Sequence, residues 1–202
     1  MMGRVVVLGG TFDPPHIGHL IMAEYAYEAL DARSVLFLPA ADPPHKHGGT
    51  RADATDRVAM VLLAIDGEPR FELSRIDLDR PGPHYTADTV RLLAAAYPED
   101  EVIFLVGEDS LRDLPYWHRA DEIIRYARLA VVPRHEVRFD ESTLEAVLPG
   151  IAERVVHVQS PLIEVSSTDL AARLRAGKSV RYQIPDRVLA YIRQHDLYGS
   201  TP

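Results

Sequence analysis

Val5-Val6-Val7-Leu8-Gly9-Gly10-Thr11-Phe12-Asp13-Pro14-Pro15-His16-Ile17-Gly18-His19 decides the fold of this chain. The four apolar residues read as a buried strand, the glycine pair ends it, and Pro14-Pro15 makes the turn rigid. Two histidines then stand where a helix over His16 to Leu30 begins. Glycine lets a ligand approach the main chain closely, because no Cβ intervenes. A helix N-terminus adds N–H groups without intrahelical partners and the positive end of the peptide dipoles. The stretch reads as a polyphosphate cradle. Gly9, Gly10, Thr11, Phe12 and Gly18 would shape it, and His16 and His19 would face phosphate oxygens; the competing reading makes the histidines a helix cap and a packed ring.

Two commoner nucleotide signatures are missing. There is no GxGxxG and no GxxxxGK(S/T), which disfavours a nicotinamide redox enzyme and a P-loop nucleotidase. Paired histidines on zinc-binding helices favour i, i+4 spacing and need further ligands, so no protein metal site is expected.

Outward from the cradle, short apolar runs alternate with helical patterns. Strands are expected at Arg4–Leu8, Val35–Leu38, Phe71–Ile76, Val102–Val106, Leu129–Val132 and Val155–Val158. Helices are expected at Ala54–Ile65, Thr86–Tyr97, Ala120–Tyr126, Ser142–Leu148, Thr168–Arg175 and Asp186–Arg193. Strands separated by helices pair in parallel through right-handed crossovers. The expected fold is α/β: a Rossmann-like parallel sheet with helices on both faces and a small C-terminal helical segment. Such sheets bind ligands beyond the carboxyl ends of their strands, where the strand order reverses.

Composition narrows the function. The 202 residues are 47% hydrophobic and 26% charged, an ordinary globular balance with enough chain for a sizeable core. With no cysteine, neither disulfides nor thiolate chemistry is available. The net charge of −8 argues against a nucleic-acid surface, so an anionic ligand must be held by placed groups. No apolar run reaches membrane-span length and no secretory leader is evident, so a cytoplasmic protein without membrane association is expected.

Several motifs carry a resemblance. GGTFDPPHIGHL resembles the (H/T)xGH signature of the nucleotidylyltransferase superfamily, and Val165-Ser166-Ser167-Thr168-Asp169-Leu170-Ala171 resembles its ISSTxxR element. LPAADPPHK, HYTADTVRLL and FLVGEDSLRDLPYWHRADEI are similar to segments of the bacterial nicotinate-mononucleotide adenylyltransferases. The resemblance covers residues 5 to about 198 and implies one nucleotidylyltransferase domain over 1–202, its C-terminal helical part at about 166–198. It implies AMP transfer from ATP to nicotinate mononucleotide, with Mg²⁺ carried on the ATP phosphates and no nucleic-acid partner. Homo-oligomerisation is left open. The alternatives are a sister nucleotidylyltransferase, acting on nicotinamide mononucleotide or on another acceptor such as phosphopantetheine or glycerol phosphate, and a catalytically weak nucleotide-binding regulator.

The same resemblance implies roles. His16, His19 and Lys46 would contact the reacting phosphates, and Ser166, Ser167 and Thr168 would hold other oxygens; from the residues alone, those hydroxyls could equally cap a helix. Thr86, Gly107, Asp109, Trp117 and the main chain at His118 would take the mononucleotide, Trp117 stacking on its ring and Asp109 near its ribose. Read bare, Lys46 could be solvated, Trp117 core, and Thr86 an N-cap. Asp13 is expected to brace the turn rather than ligate metal. The motif's last arginine falls on Ala171, Arg173 lies about 200° away round the helix, and Arg134 or Arg175 is expected to take over part of its work.

Overall fold

The computed structural model describes residues 3–41, 52–133 and 142–199. Six strands form one parallel sheet: β1 (Gly3–Gly10), β2 (Ser34–Pro39), β3 (Phe71–Leu73), β4 (Asp100–Gly107), β5 (Arg128–Val132) and β6 (Val155–His157). Their order is β3-β2-β1-β4-β5-β6. The chain builds outward from β1 to β3, then returns to place β4 on the other side of β1. The order therefore reverses between β1 and β4, where a parallel sheet opens a crevice at its carboxyl edge. Leu8 pairs with Leu105, and both strands end in glycine shortly after, at Gly10 and Gly107.

The apolar strands keep a two-residue alternation although both faces are buried, because helices cover each side. Val5, Val7, Phe104 and Leu129 pack on one face against α3 (Thr86–Ala96) and α5 (Ala120–Tyr126). Val6, Leu8, Phe37 and Ile103 pack on the other against α1 (Ile17–Ala29) and α2 (Ala54–Ile65). Burying a side chain of this kind contributes roughly 1.5–3 kcal/mol. A third cluster joins Met60 of α2 to α7 (Ser167–Arg175) and α8 (Asp186–Gln194). It includes Tyr198, in the turn Leu197–Gly199. No described helix is long and apolar enough to cross a membrane.

Two elements differ from expectation. The third strand stops at Leu73, three residues short of Ile76. After the Ser74 N–H donates to Phe37 O at 2.8 Å, the chain turns, with Asp79 N–H bonded to Arg75 O at 3.0 Å. That turn carries Asp77 out of the sheet and under α3, as its bond from Thr89 shows. The helix α4 (Glu108–Asp113) has no counterpart among the expected elements, because only Leu111 of its six residues is buried, too little to give a periodic signal. The helix α6 (Ser142–Val147) follows β5 as expected.

Candidate active site

The cradle is built from close packing as much as from openness. A Cβ on Gly9 would lie 2.9 Å from Cζ of Phe104, and one on Gly10 would lie 3.3 Å from the Phe12 ring. The glycine pair therefore makes room for two aromatic rings as well as opening the main chain. Phe12 is fully buried, and its main chain takes the left-handed φ of 51°.

His16 is the extended N-cap of α1 and is 5% exposed. Its ring stacks on that of His19 with centroids 3.7 Å apart and planes 25° apart, and Phe12 meets His19 edge-on at 4.9 Å. The His16 main-chain N–H donates to His19 Nδ1 at 3.1 Å. With Nδ1 an acceptor, the neutral His19 ring carries its proton on Nε2 and offers that N–H as a donor. Gly18 leaves room for the stack, since a Cβ there would lie 3.0 Å from the His16 Cε1 and Nδ1 atoms and the ring would have to give way. Cap, packed ring and donor are thus one arrangement.

A buried polar cluster holds the Thr11–Pro15 turn from behind. Asp13 is 8% exposed, and its Oδ1 accepts from Tyr198 Oη at 2.5 Å and from Ala52 N at 3.2 Å. Arg57, on α2, donates to Thr11 O at 2.9 Å and to Ala41 O at 3.3 Å. Burial and the Asp13 carboxylate push the Tyr198 hydroxyl far above its ordinary pKa, so it stays a donor. Asp13 thus braces the turn. Arg57 and Tyr198 were not singled out in the sequence; a charge on the buried face of α2 was the one available signal, and Tyr198 lies too far along the chain to give any.

Two cavities open onto this cradle. One, of about 620 Å³, is lined by Thr11, His16, Gly18, Asp109, Ile163 and Ser166 to Asp169, among others. The other, of about 380 Å³, is lined by Gly9, Gly10, Thr86, Gly107 and Trp117, with Asp77 and Thr89 in its wall. His19 and Met22 line both, so the cavities meet at the second histidine.

In the larger cavity, Ser166 caps α7 by accepting from Asp169 N at 3.1 Å, and Ser167 donates to Pro14 O at 2.8 Å. Each hydroxyl is thus committed to structure at one lone pair or proton and retains further capacity. Asp109 lines this cavity, not the one holding Thr86 and Trp117. Among the described residues lining the larger cavity there is no lysine or arginine. Ala171 is 7% exposed within the third apolar cluster, while Arg173 donates to Ser179 O at 2.8 Å; neither Arg173 nor Arg175 lines either of these two cavities. Lys46 and Arg134 lie outside the described residues.

The smaller cavity is framed by the first turn of α3 and the loop before α5. Trp117 lines it while packing on the core, so it is both wall and buttress. His118 is exposed and stacks on Tyr85, the N-cap of α3, at 4.0 Å and 30°. Arg119 takes a left-handed φ of 53°, and its NH2 donates to Asp88 Oδ1 at 2.6 Å. That bond holds the Asp88 carboxyl below its usual range and ties the starts of α3 and α5 together.

A glycine-ended strand at the sheet's switch point, with a histidine pair where two cavities meet, is the architecture of a nucleotide-handling α/β protein. The cytidylyltransferase-like family profile matches residues 7–173. Over 199 residues the chain is 45% identical to the probable nicotinate-nucleotide adenylyltransferase of Thermomicrobium roseum, covering 98% of this chain and 93% of that one. It is 41% identical to the protein of the same description from Geobacillus kaustophilus, covering 98% and 88%. In fold it is similar to Plasmodium falciparum nicotinic acid mononucleotide adenylyltransferase complexed with NaAD, with a TM-score of 0.80, 17% identity and 98% of each chain covered. The chain belongs to the cytidylyltransferase-like family and, within it, to the nicotinate-nucleotide adenylyltransferases.

Proposed function

We propose that this protein transfers AMP from ATP to nicotinate mononucleotide, forming deamido-NAD and releasing pyrophosphate. The observation that supports this reading best is the junction of the two cavities at His19. A transfer between two nucleotides needs two binding spaces that share one reacting centre. ATP is assigned to the larger space beside Ser166 to Thr168, and the mononucleotide to the smaller one beside Thr86 and Trp117.

A phosphate oxygen of the mononucleotide attacks the α-phosphorus of ATP. The bond from that phosphorus to the bridging oxygen breaks, and pyrophosphate leaves with the electron pair. The nucleophile is already anionic at neutral pH, so no general base is required. Catalysis then consists of positioning and of stabilising charge on the α-phosphoryl and the leaving pyrophosphate. His19 Nε2–H is the donor for the α-phosphoryl oxygens, with His16, Lys46 and the start of α7 taking the distal ones. Arg134 is assigned to the distal phosphates, in place of the arginine lost at Ala171. Mg²⁺ enters as part of the ATP substrate rather than as a resident ion.

The test is pyrophosphate release with Mg–ATP and either nicotinate or nicotinamide mononucleotide. Product with the acid form, and much less with the amide, is expected. Silence with both would overturn the reading.

A further inference from the structure

The wall of the smaller cavity contains a carboxylate where an anionic ligand is expected to sit. Asp77 is 7% exposed and lines the cavity together with Thr86 and Thr89. An ionised group so placed would repel a carboxylate carried on the bound ring, because charges at a poorly solvated site are weakly screened. Asp77 is not left alone. Arg80 donates to its Oδ1 from Nε at 2.9 Å and from NH2 at 2.8 Å, and Thr89 donates to the same carboxylate at 2.8 Å.

Arg80 itself does not line the cavity. It sits behind the wall, its NH1 donating to Pro83 O at 3.2 Å and its NH2 reaching Thr89 Oγ1 at 3.2 Å. Its own carbonyl oxygen lies 3.0 Å from His84 Nε2. The other carboxylate of this region, Asp88 on the first turn of α3, has Arg119 at 2.6 Å and Arg91 at 3.6 Å. Asp77 and Asp88 each have an arginine partner, so neither leaves an uncompensated negative charge beside the first turn of α3.

We propose that Arg80 sets ring specificity from behind the cavity wall: by neutralising Asp77, it lets the cavity admit a mononucleotide whose ring carries a carboxylate rather than a carboxamide. Arg80 is a positioning residue, acting through Asp77 and touching no substrate. The inference rests on the assignment of the smaller cavity to nicotinate mononucleotide. It deepens that assignment by naming the groups that decide between acid and amide.

The test compares kcat/KM for nicotinate and nicotinamide mononucleotides at saturating Mg–ATP and one fixed pH. Arg80→Gln keeps a donor for Asp77 and removes the charge, and should lower the acid-to-amide ratio by about tenfold. Arg80→Lys should largely preserve the ratio. Asp77→Asn with Arg80→Gln should restore it, since that pair is neutral again. Asp77→Asn alone leaves the arginine charge uncovered and should raise the ratio, which keeps the test decisive if Arg80→Gln does not fold. Equal loss with both mononucleotides in Arg80→Gln, or an unchanged ratio in Asp77→Asn, would overturn the inference. Wild-type protein inert toward both mononucleotides would overturn the function assigned above instead.

Discussion

The two ends of the cleft are built in different ways. The histidine end is made by contiguous chain: within eleven residues, Gly9 to His19, a strand ends, a turn closes and two rings stack over a glycine. The ring end is made by pieces farther apart in the chain, with Arg119 clasping Asp88 across 31 positions and Thr89 reaching Asp77 across 12, while Arg80 covers the Asp77 charge from three residues away. A contiguous motif fixes geometry through close packing, so an added methyl forces a neighbouring ring to give way. A clasp fixes geometry through paired charges, so it can be loosened by degrees and tuned toward one ligand.

The contrast is most directly broken at His19. His19→Ala should lower turnover by roughly two orders of magnitude, the scale of losing a preorganised donor to a developing anion, while thermal unfolding shows an intact fold. Near-normal turnover would remove His19 from the reacting centre.

Gly18→Ala tests whether the contiguous end is sterically set. The new methyl meets the His16 ring at 3.0 Å, so the imidazole must move. A cost of about 1–3 kcal/mol is expected from overpacking, read as a lower Tm together with reduced turnover. Unchanged values for both would mean that the stack tolerates displacement.

Tyr198→Phe asks how far the brace behind the cradle matters. Removing the hydroxyl takes one donor from the Asp13 carboxylate while the bond from Ala52 N stays, and should cost about 1–3 kcal/mol of stability. The KM for ATP should rise more than the KM for the mononucleotide, because the brace holds the phosphate end. Equal changes in both would make the bond a general fold contact.

The smallest expected effect is acid loosening of the ring end. Asp88 has its folded pKa lowered, chiefly by its bond with Arg119. A depressed carboxylate contributes stability above its unfolded pKa of about 4, and that contribution is lost as pH falls through the lower folded value. Because the pair is partly solvated, the effect should be modest. Comparing acid unfolding of wild type and Arg119→Ala would reveal it: the variant should lack that component of the pH dependence.

How much was legible follows from the same contrast. β1, the turn and α1 are encoded next to one another, so hydrophobic periodicity, two glycines and two prolines were enough to read them. The ends of β3 and the existence of α4 were not legible, since three strand residues and one buried leucine give no period. Motif resemblance placed Thr86 and Trp117 together, yet it also placed Asp109 with them, whereas Asp109 lines the cavity beside His16 and Ser166. Its position two residues beyond Gly107 says nothing about which side of the crevice its carboxylate faces.

The sequence by itself determined the α/β order, the cradle and its two histidines, because each depends on residues close along the chain. Only the tertiary structure decided what stands behind them. Tyr198 meets Asp13 across 185 positions, Arg57 reaches Thr11 across 46, and Arg119 reaches Asp88 across 31. Such long-range hydrogen bonds depend on where the backbone brings their atoms, and that placement exists only once the sheet and its helices have closed around a common core.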